Sequence, residues 1–221
     1  MSKLKAYEFS DTQLYADELP TWASDCPFGH LGQKYSFILT KLNMLNETIQ
    51  EIFELDLQIR DNKRKREYTD RELSLRPVIL KMRFCSELKI CTDDIIALNS
   101  LLHSHLIQSK WPNEIRIDSI SKLIKRDFPS GFEELKNTKD TLVKLNGLGN
   151  AIKHSFINTE SLWYRTYEPS SIIIGFYQHF NKKENQIKTF KVDLLSYIDD
   201  YNEFLGLMKS ILKNNYRQKI I

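Results

Sequence analysis

The chain has 221 residues, enough to bury the core of one ordinary or slightly large domain. Hydrophobic residues make up 41% and charged residues 28%, a globular composition, and only 7 glycines and 6 prolines favour long helices over a turn-rich sandwich or barrel. The net charge of +3, from 32 basic and 29 acidic side chains, is too balanced to point to nucleic-acid binding, since a strong polyanion binder usually shows a denser basic surface.

Three further absences narrow the setting. Apolar runs such as Ile172-Ile173-Ile174 are too short to span a bilayer. Residues Met1 to Glu8 carry no apolar secretory signal. Cys26, Cys85 and Cys91 are too few and too scattered for a disulfide framework. A reducing cytoplasm is the expected location.

In chain order, residues 1–32 read as an irregular arm. It carries Pro20, Pro27, Gly29 and Gly32, with aromatics such as Trp22 and Phe28 to pin it on the domain. Residues 33–221 then read as one helical domain. A long helix is predicted over 33–66, because Tyr35, Ile38, Leu42, Leu45, Ile49 and Ile52 recur at three-and-four spacing. Pro77 suits the first turn of a second long helix, which runs to about Ser109 before Trp111-Pro112. A shorter helix is expected over 114–127, then a long helical stretch over 132–158 with a kink or break at Gly147 and Gly149. The period changes to two at Ile172–Tyr177 and returns at Ile187–Lys191 across a polar turn, with a further strand possible at Leu162–Tyr167. A final amphipathic helix covers 192–216. The fold class is therefore mainly α: an up-and-down helical bundle with a small antiparallel β-hairpin before the last helix.

Several clusters look like chemistry and read more simply as structure. His103 and His105 are two apart, so a helix points them to different sides and one metal cannot easily take both. His105 continues an apolar stripe as a core-edge histidine, and His103 is expected to be exposed. Cys26 and His30 share one loop without the two spaced pairs that a structural zinc needs. Cys85 and Cys91 read as small core residues. Glu87-Leu88-Lys89 has the residue types of a nuclease Glu-x-Lys, but its period is helical rather than stranded. No metal and no cofactor is expected.

Two stretches remain. Gly147-Leu148-Gly149-Asn150-Ala151-Ile152-Lys153-His154 places Asn150, Lys153 and His154 on one turn. With Asn150 as an N-cap, free backbone N–H groups, a cation and a proton-transferring imidazole would suit an anionic ligand. The run Lys63-Arg64-Lys65-Arg66 is the densest basic patch. It could hold an RNA backbone, or complement the dipole at a helix C-terminus.

The order Asn-x-x-Lys-His, β-hairpin, final amphipathic helix resembles the HEPN superfamily (higher eukaryotes and prokaryotes nucleotide-binding) over about residues 33–216. The resemblance implies a helical bundle that forms a homodimer. It also implies metal-independent RNA cleavage in bacterial defence or toxin–antitoxin systems. His154 would be the acid–base group, with Asn150 and Lys153 beside it. The pattern's arginine position is Gly149 here. Phosphate charge would then fall to Lys153 or Arg165, and guanidinium and ammonium are not equivalent there. The expected function is an RNA-binding protein or endoribonuclease. The alternative is a non-catalytic, degenerate module that holds a partner protein, such as an antitoxin, or a nucleotide.

Overall fold

The computed structural model describes residues 3–5, 26–65, 71–154, 172–178 and 187–217. Helix α1 spans Leu31–Arg64 and α2 spans Arg71–Gln108, packed side by side. A short α3 (Ile120–Lys125) and a 3₁₀ turn (Glu133–Thr138) lead into α4 (Lys139–His154). Strands β1 (Ile172–Gln178) and β2 (Ile187–Asp193) precede α5 (Leu194–Arg217). The architecture is mainly α. The strands pair antiparallel in the register Ile172↔Asp193 to Gln178↔Ile187, and β1 lies along α4.

The predicted stripes meet in one core, joined by residues outside them such as Phe84, Ile96 and Phe204. Leu42, Leu45 and Ile49 of α1 and Leu88, Cys91 and Ile95 of α2 meet Leu142, Leu145 and Leu148 of α4 and Ile198 and Phe204 of α5. These side chains form one continuous apolar cluster, whose removal from water is the main favourable term in folding. Tyr201 is fully buried, so its hydroxyl needs a partner. Thr92 Oγ1 supplies it at 2.7 Å. Thr92 has one hydroxyl proton and donates it to the Leu88 carbonyl at 2.7 Å. Tyr201 is therefore the donor to Thr92.

Element boundaries differ from expectation in four places. The first helix begins at Leu31, inside the expected arm. The second begins at Arg71, so Pro77 lies within it rather than at its first turn. A proline there forfeits a backbone hydrogen bond; burial of Pro77 and the Arg76–Glu51 ion pair offset that loss. The helix expected over 114–127 shrinks to six residues, because Ser119 caps its start and Asp127 and Phe128 adopt left-handed backbone (φ 49° and 55°) just after its end. Finally, α4 runs as one helix through Gly147 and Gly149, with no break there.

Side chains of α2 hold the crossing segment in place. Asp93 Oδ1 accepts from the Ile120 N–H at 2.8 Å, Ser100 Oγ from the Ile117 N–H at 3.3 Å, and Asn99 Nδ2 donates to the Gly131 carbonyl at 3.2 Å. The N-terminal residues are held in the same way. Asn46 of α1 brackets Leu4, accepting from its N–H at 2.8 Å and donating to its carbonyl at 3.0 Å, and Asn202 of α5 does the same for Lys5 N–H and Lys3 carbonyl. The expected strand at Leu162–Tyr167 lies outside the described residues.

Candidate functional site

The apolar stripe of α4 decides which of its residues face inward. Leu142, Leu145, Leu148, Gly149 and Ala151 are buried; Asn150 is half-buried and Lys153 exposed. Asn150 and Lys153 are three apart and so neighbours on one turn. His154 is the last described residue of the helix, at the next position, and its side chain lies outside the described set.

The structure corrects one part of the anion-site expectation. Asn150 is not an N-cap. It sits about three turns into α4, where backbone N–H groups already serve the helix ladder. Charge for an anion on this turn must therefore come from side chains. Lys153 is exposed there, and Asn150 adds an amide that donates and accepts.

Gly149 is the second finding. It faces α2, and a Cβ added to it would overlap Lys89 Cδ, with Lys89 Cβ and Cγ at 3.3 Å. The glycine is required by this close approach. Lys89 in turn donates from Nζ to Asp93 Oδ2 at 2.7 Å, and the other oxygen of Asp93 receives the first N–H of α3. Gly149 is therefore the seat of a clamp joining α2, α3 and α4. Sequence spacing had no signal for this, since Lys89 is remote in the chain. Its neighbour Glu87 is engaged by Arg83 at 2.7 Å on the same helix, and Leu88 between them is fully buried.

The basic run does not join this turn. Lys89 marks the height of Gly149 on α2, and Arg71 begins that helix roughly 27 Å further along at the usual rise. Lys63 and Arg64 close α1 and Lys65 follows it, exposed, at that far end. The side chains of Lys63 and Arg64, and all of Arg66 and Arg165, lie outside the described residues.

Other candidates resolve as structure. His105 stacks on Trp111 with ring centroids 3.8 Å apart. His103, expected exposed, is half-buried, because its ring covers Gly131, whose φ of +84° turns the chain there. Burial pushes the thiols of Cys85 and Cys91 up to about 12, far from reactive thiolates. Among the described residues, no group of three or more His, Cys, Asp or Glu side chains is placed to hold a metal. No helix among them is long and apolar enough to cross a membrane.

One group escaped the sequence reading. Lys81, two turns before Lys89 on α2, is held mostly out of water, and burial lowers its ammonium to about 8. The carboxylate of Asp56 on α1 and the Cys85 thiol partly offset that shift. An amphipathic spacing rule reads such a lysine as solvated, so no signal marked it. Compared with known proteins, the chain matches no family model, no curated relative and no solved structure.

Proposed function

We infer that the chain is an HEPN-like protein of a bacterial defence or toxin–antitoxin system that binds RNA through the turn Asn150–Lys153–His154. One observation carries the reading: at the last turn of α4, Lys153 is exposed and Asn150 half-buried, both outside the buried stripe and beside His154 in the chain. Lys153 supplies phosphate charge and Asn150 orients a phosphate or base oxygen. In the catalytic form of this reading, His154 takes the proton from the RNA 2′-hydroxyl, that oxygen attacks the adjacent phosphorus, and the bond to the 5′-oxygen breaks as that oxygen takes a proton from water, giving a 2′,3′-cyclic phosphate and a 5′-hydroxyl. No metal enters the step.

A second reading has its own support. A Cβ at Gly149 would overlap the Lys89 side chain, so an arginine there would require Lys89 to move. That favours a non-catalytic module holding RNA, a nucleotide or a partner protein.

The test is RNA integrity in a bacterial host after inducing the wild type and His154→Ala. RNA loss with the wild type alone assigns cleavage to His154. Intact RNA with both selects the second reading. Gel-shift titration of purified protein with single-stranded RNA then separates the RNA-holding form from a protein-holding one.

A further inference from the structure

The apolar interior has a gap where α1 and α2 meet the chain on either side of them. Leu31 of α1 and Leu98 and Leu101 of α2 belong to a smaller apolar cluster, and Ile38 of α1 belongs to the main one. All four are buried. Between them lies a cavity of about 190 Å³, walled also by Phe28 and Ile115. Protein interiors leave few voids larger than a water molecule. Three of the lining residues, Lys34, Phe37 and Asp94, are exposed, so the cavity opens to solvent beside them.

The rim carries both signs of charge. Lys34 stands on α1 and Asp94 on α2. Among the described residues, no hydrogen bond or ion pair holds the Asp94 carboxylate. Burial against the apolar wall holds its carboxyl above the usual carboxylate value, and Lys41 and Lys34, acting across space, only partly offset this. The Lys41 ammonium is itself engaged, 4.6 Å from the centre of the Phe37 ring. Lys34 is the cation that lines the cavity.

We propose that this cavity binds a small molecule with an apolar body the size of a benzyl group and a zwitterionic head, the pattern of a free aromatic α-amino acid. The wall selects the body. An apolar cavity of roughly 150 Å³ takes a benzene ring, and a volume of about 190 Å³ leaves room for one more methylene. The rim selects the head. A ligand ammonium supplies the partner that the Asp94 carboxylate lacks, and a ligand carboxylate meets Lys34. A plain amine would set its charge beside Lys34, and a plain acid would set its charge beside Asp94. Only a head with both charges satisfies the rim. An apolar pocket with a few convergent polar groups is the usual build of a small-ligand site. The proposal uses no residue of the α4 turn and does not depend on RNA binding or cleavage.

Isothermal titration calorimetry of the full chain with L-phenylalanine tests it. Saturable binding is expected, with a Kd of about 1 mM or tighter. Phenethylamine lacks the carboxylate and hydrocinnamate lacks the ammonium, and each should bind about tenfold more weakly. Asp94→Asn should weaken L-phenylalanine about tenfold and leave hydrocinnamate no weaker. Lys34→Gln should weaken L-phenylalanine and spare phenethylamine. Ala97→Leu puts a larger side chain into the lining and should abolish binding of all three ligands. Far-UV circular dichroism checks that each variant folds, and if Ala97→Leu does not, the two rim variants decide. A titration with L-phenylalanine that shows no saturation by about 10 mM overturns the proposal. So does binding that a folded Ala97→Leu leaves intact, which puts the ligand elsewhere on the chain. Equal binding of either one-charge analogue, or of L-phenylalanine to Asp94→Asn and Lys34→Gln, overturns it as well.

Discussion

The two faces of α4 obey different constraints. On the inward face, Leu142, Leu145, Leu148 and Gly149 sit in a packed interior, where Gly149 leaves no space beside Lys89. On the outward face, Lys153 is exposed and Asn150 half-buried. Interiors are close-packed, so a change of shape there is felt as free energy. A change on the outer face is felt only by a ligand. The contrast separates what α4 does for the fold from what it does for function.

Gly149→Arg is the severest way to break that contrast. The new side chain must displace Lys89 and bury a second cation beside it, and we expect a loss of about 3 kcal/mol in urea unfolding. The same change tests whether this position can hold an arginine at all. In a Lys89→Ala background the loss should shrink, with a coupling of about 1 kcal/mol between the two sites. Additive losses would show that Lys89 is not what excludes the arginine.

Titration sharpens the comparison from inside the bundle. An ordinary lysine holds its proton to 10.5, and Lys81 in the folded chain only to about 8. The unfolded chain therefore binds more protons between those values, and stability rises with pH across that window. Cys85 and Cys91 act in the opposite sense. Their folded values of about 12, against 9.0 ordinarily, make stability fall above about pH 9. Unfolding measured across pH should thus peak between about 8 and 9. Lys81→Met should remove the rise and add on the order of 1–2 kcal/mol at pH 7, the discounted value of its shift. An unchanged profile in Lys81→Met would reject this assignment.

Smaller still is the interior hydroxyl pair. Tyr201→Phe removes the donor to Thr92 while Thr92 keeps its bond to the Leu88 carbonyl, so a loss of about 1 kcal/mol is expected in thermal unfolding. The least effect on stability belongs to the outer face. Lys153→Ala should move it by less than about 0.5 kcal/mol. In gel-shift titrations it should weaken RNA binding and lower the salt slope by about one counterion. Equal affinity and slope for Lys153→Ala would remove Lys153 from any nucleic-acid contact.

Much of the fold was legible in advance, for a physical reason. The stripes Leu42–Leu45–Ile49, Leu88–Cys91–Ile95 and Tyr201–Leu205–Met208 are local patterns, and burying an amphipathic face is what makes a helix in a bundle. The alternation at Ile172–Tyr177 likewise marked the strand that pairs with Ile187–Asp193. Helix ends were less legible. The six-residue α3 starts where Asp93, on another helix, receives its first N–H, and no spacing within 114–127 encodes that. Pro77 read as a helix start because a proline favours the first turn, yet the helix begins at Arg71, with Pro77 buried inside it.

The candidate site divides along the same line. Its residue types and their one-turn spacing were set by the sequence, since three-residue neighbours follow from helical pitch alone. So were the apolar stripes and the hairpin before the last helix. Tertiary structure decided the rest: that Asn150 is deep in a continuous helix, that Gly149 is the seat of Lys89, and that the basic run stands at the far end of the hairpin. Periodicity records which face of a helix avoids water. It carries no record of which side chain from a distant segment will occupy the space beside that face, and that occupant decides whether a glycine is a break, a missing arginine or a point of contact.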